Sequence, residues 1–169
     1  MDGHTSDKSS ISSQRLELDT FLPYRLNVLA SVVSQGLSSI YAERYGLGIP
    51  EWRVLATLGQ FGSMTAKDIG AHSHMHKTKV SRAIASLTKR RFVHRRINRR
   101  DLREAFVSLT REGEAIYADL VPIAQGFAAE LSAGFTAAER QQLDLLLSRL
   151  TEQSHRLLAR ANITPSDGD

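Results

Sequence analysis

Twelve lysine and arginine residues lie in the forty residues from Thr65 to Glu104, together with three acidic residues. The whole chain has 22 basic and 18 acidic residues, so the rest of it is acidic on balance. Clustered cationic side chains bind polyanions, because each phosphate that they neutralise releases condensed counterions. This segment, which we call the basic block, therefore predicts a nucleic-acid partner. A solvated surface is the alternative for a charge cluster alone.

A second group that could do chemistry is formed by His72, His74 and His76, three histidines within five residues. Inside a helix, His74 and His76 would point about 200° apart, so they would share no face. The sequence has no HExxH motif or carboxylate cluster beside them, no GxSxG motif and no glycine-rich phosphate loop. We therefore predict no enzyme, no metal site and no cofactor, and interpret the histidines as polar surface residues or a phosphate contact.

The apolar residues of the basic block recur with the spacing of two short helices. Thr65 and Asp68 have the spacing of a helix cap and its third residue, and this helix would end near residues 71–73. The next helix begins near His76. Its apolar face consists of Val80, Ala83, Ile84 and Leu87. Its opposite face carries Thr78, Ser81, Arg82, Ala85 and Lys89. Two such helices predict a helix-turn-helix whose second helix can enter a major groove.

After the second helix the apolar period changes from about 3.6 residues to two. Residues 92–97 and 105–109 are predicted as two strands, joined by the arginine-rich segment 98–104. A hairpin with a basic tip, placed directly after a helix-turn-helix, is typical of a wing. Arginine at such a tip is favoured by the negative potential of the minor groove.

Two helices are predicted before the basic block. The first carries an apolar stripe and should stop near Gly46 to Gly48; the stripe consists of Leu22, Leu26, Leu29, Val33, Leu37 and Ile40. The second opens at Ile49-Pro50-Glu51, where proline lacks only an N–H that has no partner in the first turn. Its buried side is predicted to be Trp52, Leu55, Leu58 and Phe61, and Gly62 and Ser63 should end it.

Two longer helices are predicted after the hairpin. Thr110 should cap the first, whose stripe is Ala115, Ile116, Leu120, Ile123 and Phe127, with a bend expected at Pro122. A capping box from Thr136 to Glu139 should open the second. Its stripe is Leu143, Leu146, Leu147, Leu150, Leu157 and Leu158. On its pattern alone, this stripe fits an internal core and a dimer seam equally well.

Composition fits one intracellular domain. The chain has 169 residues, 41% of them hydrophobic, and no cysteine, which excludes disulfides and thiolate metal sites. We expect a disordered tail over residues 1–19, a single domain over 20–159 and a frayed end over 160–169. Neither a signal peptide nor a membrane span is evident, so a cytoplasmic protein is expected. The predicted fold class is mainly α with a small β-hairpin wing.

Several motifs occur together in a recognisable order. They are Lys77-Thr78-Lys79-Val80-Ser81-Arg82, Leu87-Thr88-Lys89-Arg90-Arg91-Phe92-Val93, Asp101-Leu102-Arg103 and Leu109-Thr110-Arg111-Glu112-Gly113. In order and spacing they resemble the MarR family of winged helix-turn-helix regulators, over roughly residues 21–159. The resemblance implies a homodimer that binds pseudo-palindromic operators and leaves DNA when a small aromatic or phenolic ligand binds. It also implies a DNA-binding lobe at 49–109, flanked by dimerisation helices at 20–47 and 110–159.

The expected DNA contacts are Thr65, Lys77, Thr78, Lys79, Ser81, Arg82, Arg96, Arg99, Arg100 and Arg103. By the same resemblance, Asp101 is the wing acid that orients an arginine. The expected dimer residues are Leu22, Leu26, Leu143, Leu146, Leu150 and Leu157. Two positions depart from the family pattern: Arg91 stands where glycine is usual after the recognition helix, and His76 stands where aspartate is common.

For the effector, Arg25 could pair with a ligand carboxylate, and Tyr41 or Trp52 could stack on an aromatic ring. Each has an ordinary alternative: Arg25 as a surface cation, and Tyr41 and Trp52 as packing residues. An aromatic acid or its thioester is the ligand class that the family suggests. The function expected overall is a sequence-specific repressor, and the alternative is a ligand-insensitive architectural DNA-binding protein.

Overall fold

The computed structural model describes residues 15–97 and 105–161. Its elements, in chain order, are α1 (Leu22–Tyr45), α2 (Ile49–Phe61), β1 (Met64–Thr65), α3 (Ala66–Ser73), α4 (Lys77–Lys89), β2 (Val93–Ile97), β3 (Ala105–Leu109), α5 (Arg111–Leu131) and α6 (Ala137–Arg160). Helices dominate and one small sheet is present, so the predicted fold class is confirmed.

The chain divides into two compact units, and the boundary lies inside α1. The first unit ends at Gly36 and contains the first part of α1, whose side chains are mostly exposed. The second unit begins at Leu37 and contains every other helix and strand. The DNA-binding elements predicted from the basic block therefore belong to one compact unit.

The predicted helix boundaries around α2 are confirmed. α2 begins at Ile49 with Pro50 in its first turn, and the carboxylate of Glu51 accepts a hydrogen bond from the backbone N–H of Gly48 at 2.7 Å. It ends where Gly62 adopts a φ of +79° and its N–H donates to the carbonyl of Leu58. A left-handed backbone is costly for residues with a β-carbon, which is why glycine terminates the helix here.

The three strands form one antiparallel sheet in the order β1-β3-β2. In the hairpin, Val93 faces Leu109 and Ile97 faces Ala105, as the two predicted strands require. The strand β1, in which Met64 pairs with Val107 and Thr65 with Phe106, was not predicted. A strand of two residues is too short to show alternation, so its pairing depends on the position of β3.

The core lies between α2, α3, α4 and the sheet. Its most deeply buried side chains are Leu47, Val54, Leu55, Ile69, Val80, Leu87, Val93 and Val107. Each fully buried valine or leucine contributes about 1.5–3 kcal/mol relative to exposure. One prediction of burial was wrong: Phe61 is exposed. Phe61 is the last residue of α2, where the chain turns away, and its ring lies against His72 instead.

The two C-terminal helices differ in what they bury. α5 is continuous across Pro122 and buries Gly113, Ile116 and Leu120. α6 starts with the predicted capping box, in which Thr136 accepts from the N–H of Glu139, and it has no buried residue. Its leucine stripe is therefore not core within this chain. Across the described ranges, 15–97 and 105–161, no helix is long and apolar enough to cross a membrane.

Candidate nucleic-acid interface

Helix α4 starts at a side-chain cap and separates its faces cleanly. The Nδ1 atom of His76 accepts a hydrogen bond from the backbone N–H of Thr78 at 3.2 Å, so the imidazole performs the role that an aspartate cap would perform. The face that packs on the core consists of Val80, Ala83, Ile84 and Leu87. The predicted start and the predicted apolar face of this helix are both observed.

The opposite face of α4 is exposed along its first two turns. Its side chains are Lys77, Thr78, Lys79, Ser81 and Arg82. Short hydroxyls between longer cations allow close approach to a surface and also supply hydrogen-bond donors. In helix-turn-helix proteins, the N-terminal residues of the second helix are the ones that contact base edges. The expected DNA-contacting residues of α4 therefore share one accessible surface.

Helix α3 precedes α4 as the first helix of the motif. The hydroxyl of Thr65 accepts from the N–H of Asp68 at 3.2 Å and donates to the carboxylate of Asp68 at 2.7 Å. The turn to α4 passes through His74, which has φ +50° and ψ +46°, and the N–H of Met75 donates to the carbonyl of Gly70. Thr65 is half-buried at this cap.

The wing begins with β2, which pairs with β3 at the edge of the sheet as far as the structure describes it. Arg95 and Arg96 are both exposed on it, and His94 pairs across the hairpin with Ser108, with 3.2 Å between Nε2 and Oγ. The predicted tip residues Arg99, Arg100, Asp101 and Arg103 lie outside the described residues. Of the predicted wing contacts, Arg96 is thus the one whose place is described.

Helix α4 is followed by a left-handed residue, Arg91. Arg91 has a φ of +63°, and the N–H of Phe92 donates to the carbonyl of Leu87 at 2.9 Å. This is the left-handed residue of a helix C-terminal motif, a position that normally favours glycine. Arginine therefore stands at a backbone position that ordinarily favours glycine.

The start of α5 is attached to the same segment. The hydroxyl of Thr110 donates to the carbonyl of Arg91 at 2.7 Å, and the N–H of Thr110 donates to that of Phe92 at 3.0 Å. The same hydroxyl accepts from the N–H of Gly113 and caps α5 as predicted. The connection after α4 is therefore held by the beginning of α5.

The three clustered histidines have three separate environments. His72 lies in the last turn of α3, with its ring centroid 4.4 Å from that of Phe61. His74 forms the turn, and His76 caps α4. Within the described part of the chain, no three histidine, aspartate or glutamate residues are grouped so that they could hold a metal ion.

Of the proposed effector residues, Tyr41 and Trp52 are in contact. Their rings stack with centroids 5.6 Å apart and an interplanar angle of 23°. Tyr41 is buried and Trp52 half-buried, and burial raises the pKa of the Tyr41 phenol, partly offset by Arg53 and a hydrogen bond with Ser38. Arg25 is exposed on the unit that ends at Gly36. The stack also accounts for both rings as packing residues.

The predicted dimer residues are mostly uncovered in the single chain. Leu143, Leu146 and Leu157 on α6 are 41–55% exposed, and Leu150 is partly buried. Leu22 and Leu26 on the first unit are 46% and 37% exposed. Large apolar side chains that share one helix face and lie in contact with solvent are typical of a protein interface.

One polar cluster was not predicted from the sequence. Asp119 on α5 accepts from Nε of Arg44 at 2.7 Å and from the phenol of Tyr45 at 2.8 Å. The hydrogen bonds from Tyr45 and Arg44 lower the pKa of the Asp119 carboxyl, and the bond to Asp119 raises the pKa of the Tyr45 phenol. These residues are 74 and 75 positions apart, so no local pattern could have shown the contact.

Comparison with known proteins places these features in a family. The MarR family model matches residues 45–104, the segment from the end of α1 to the wing. The uncharacterised HTH-type transcriptional regulator YwoH of Bacillus subtilis is 29% identical over 132 residues, which are 78% of this chain and 95% of that protein. The homoprotocatechuate degradative operon repressor of Escherichia coli is 27% identical over 62% of this chain and 71% of its own length.

Solved structures share the fold. A MarR/EmrR family regulator from Acinetobacter sp. ADP1 has a TM-score of 0.77 and 24% identity, over 83% of this chain and 99% of its own. MepR of S. aureus, solved as a DNA complex, has a TM-score of 0.71 and 18% identity, over 79% of this chain and 97% of its own. BpsR of Bordetella bronchiseptica, whose DNA binding is regulated by 6-hydroxynicotinic acid, has a TM-score of 0.64 and 22% identity. The match covers 75% of this chain and 98% of that one. In the segment that the family model matches, in sequence along the relatives and in fold, the chain is similar to MarR family transcriptional regulators.

Proposed function

We propose that two copies of this chain form a repressor that binds a pseudo-palindromic operator and releases it when a small aromatic or phenolic ligand binds. The observation that carries the DNA-binding part is the exposed face of α4, where Lys77, Thr78, Lys79, Ser81 and Arg82 are accessible together. The buried face of the same helix fixes which side chains point outward. Such a helix fits the major groove, and the exposed cations contribute binding to phosphates.

Assembly into a dimer is supported by α6. This helix has no buried residue, although its stripe contains Leu143, Leu146, Leu150 and Leu157. Burying these leucines in a second copy would remove apolar surface from water, which is the main driving force for association. A twofold dimer would also present two α4 helices, and half-sites one helical turn apart, roughly 34 Å, match that arrangement.

Ligand control is supported by the relatives and by the aromatic pair. The Escherichia coli relative is named as the repressor of a homoprotocatechuate degradative operon, and the BpsR structure concerns 6-hydroxynicotinic acid. Both names point to small aromatic acids. In this chain, a flat aromatic ring could extend the stack of Tyr41 and Trp52.

The test starts from a random duplex library, from which the purified protein enriches its preferred sequence. We expect a pseudo-palindrome with half-sites about 10 base pairs apart and one dimer per site in footprinting. Absence of an enriched sequence, with equal affinity for all duplexes, would favour the architectural alternative. Trp52 is the only tryptophan, so its fluorescence reports ligand binding nearby. Homoprotocatechuate and 6-hydroxynicotinic acid are the first probes, and a binding ligand should also release the enriched duplex.

A further inference from the structure

We propose that Arg90 and Glu51 are positioning residues for DNA recognition, holding the C-terminal half of α4 at two points against the corner between α1 and α2. This inference rests on the proposed operator-binding function. Neither residue was predicted to contact DNA, and Arg90 would ordinarily be counted among the phosphate-binding cations of the basic block. The contacts of the two side chains indicate a different role for each of them.

Arg90 follows the last residue of α4, and its guanidinium is directed at the end of α1. Nη1 donates to the carbonyl of Gly46 at 3.1 Å, and Nη2 donates to the carbonyl of Tyr45. The last carbonyls of a helix lack intrahelical partners and carry the negative end of the helix dipole, so they suit a cation. The guanidinium carbon also lies 4.5 Å from the ring centroid of Phe92. The guanidinium of Arg90 therefore contacts groups of the protein itself.

Glu51 makes the second attachment, one helical turn earlier on α4. One carboxylate oxygen accepts from the N–H of Gly48 at 2.7 Å, and the other accepts from the hydroxyl of Ser86. Ser86 and Arg90 are four residues apart, so they lie on the same side of α4. Both attachments therefore join this side of the recognition helix to the short connection between α1 and α2.

Apolar packing alone leaves α4 free to rotate and slide slightly, so directional contacts are needed to fix its position. The buried face of α4 consists of aliphatic side chains, whose attraction is not directional and tolerates small rotations and slides. Hydrogen bonds to ionised groups are shorter, stronger and geometrically demanding. Two of them, one turn apart, fix both the rotation and the axial position of α4. Base readout depends on that position, since side chains must meet donors and acceptors at the base edges.

The corner that receives α4 is itself fixed to α5. Tyr45, whose carbonyl accepts from Arg90, donates its phenol to Asp119, and Arg44 donates to the same carboxylate. α5 thus contacts the end of α1, and the end of α1 contacts the end of α4. A change in the position of α5 would be transmitted to the recognition helix through these named groups.

The experiment compares affinity for the duplex enriched by the wild-type protein with affinity for a shuffled duplex of the same composition. Arg90→Lys keeps the charge but cannot reproduce the planar fork to two carbonyls. Glu51→Gln keeps the shape but replaces one acceptor oxygen with an NH₂ group. We expect each variant to lose roughly fivefold or more of the preference for the enriched duplex, the lower bound of what one good base contact contributes. Affinity for the shuffled duplex should stay within about twofold, because the remaining cations still bind phosphates.

Arg91→Lys is the matched control, since it changes the adjacent exposed arginine equally conservatively and should leave the preference unchanged. If Arg90→Lys keeps the full preference, Arg90 acts only through its charge and the inference is overturned. If the variants unfold more easily but discriminate normally when folded, their role is merely structural, and that also overturns it. If Glu51→Gln does not fold, Ser86→Ala tests the same contact, because it removes the hydroxyl that donates to the Glu51 carboxylate. A wild-type protein that enriches no sequence would instead overturn the proposed function, and this inference with it.

Discussion

A β-carbon added to Gly113 would lie 2.0 Å from the carbonyl oxygen of Phe92. The first turn of α5 therefore rests directly on the backbone that leaves the recognition helix, and the approach is possible only because residue 113 has no side chain. The Thr110 cap adds hydrogen bonds at the same place. Gly113 thus allows the first turn of α5 to pack directly on the segment that follows α4.

Gly113→Ala should destabilise the protein, because backbone atoms must move apart to admit the methyl group. A loss of about 1–3 kcal/mol in the free energy of unfolding is expected, as for other overpacked sites. Urea denaturation followed by circular dichroism measures it. Gly126→Ala, on the same helix, is the matched control: its β-carbon would meet nothing within 4 Å, so it should stabilise by about 0.5–1 kcal/mol. Equal effects at the two sites would contradict the close approach.

Arg91→Gly should stabilise the protein although it removes a side chain. At a φ of +63° the β-carbon of Arg91 is strained, and glycine relieves this strain at some cost in unfolded-state entropy. The net gain should be about 0.5–1 kcal/mol relative to Arg91→Ala, which removes the same charge but keeps the β-carbon. Thermal unfolding of the two variants measures this difference in stability. An alanine variant as stable as the glycine variant would show that the backbone is not strained there.

Asp119→Asn should lower stability at neutral pH, with an effect that fades in acid. Hydrogen bonds from Tyr45 and Arg44 hold the pKa of the Asp119 carboxyl below its ordinary value of 3.8. A depressed folded-state pKa stabilises the protein above 3.8, and this contribution is lost as the pH falls through the folded-state value. Urea midpoints of the variant and the wild type should therefore differ at pH 7 and converge below pH 3.8. A pH-independent difference would rule out the carboxylate as its source.

Leu146→Glu should convert the proposed dimer into a monomer, because Leu146 lies on the leucine stripe of α6 and a buried charge there would have no partner. Leu145→Glu is the control, since Leu145 is also exposed but projects from the opposite side of the helix. Sedimentation equilibrium of both variants gives the masses. Dimerisation by the Leu146→Glu variant at wild-type strength would exclude this face as the seam.

Local sequence signals were sufficient for most elements of the DNA-binding lobe. The caps at Thr65, Thr110 and Thr136 and the buried face of α4 are set by residues three or four positions apart, and each was predicted. The hairpin strands were also found, because alternation over five residues is a readable pattern.

What could not be predicted depends on residues that are distant in sequence. β1 is a strand only because β3 lies beside it, and Phe61 at the end of α2 is exposed, with its ring against His72 of α3. The carbonyls that Arg90 contacts lie 44 and 45 residues away. A run of cations in the sequence gives no sign of these partners, which only the tertiary structure shows.

The most direct test of the account is the ratio of affinities for the enriched and shuffled duplexes after Arg82→Ala. Arg82 lies on the exposed face of α4, so its loss should reduce this ratio by roughly tenfold, within the range of one base contact. Arg149→Ala, an exposed arginine on α6, should leave the ratio unchanged, and Arg100→Ala should weaken binding to both duplexes about equally. An Arg82→Ala variant that keeps the wild-type ratio would contradict the claim that α4 reads the sequence.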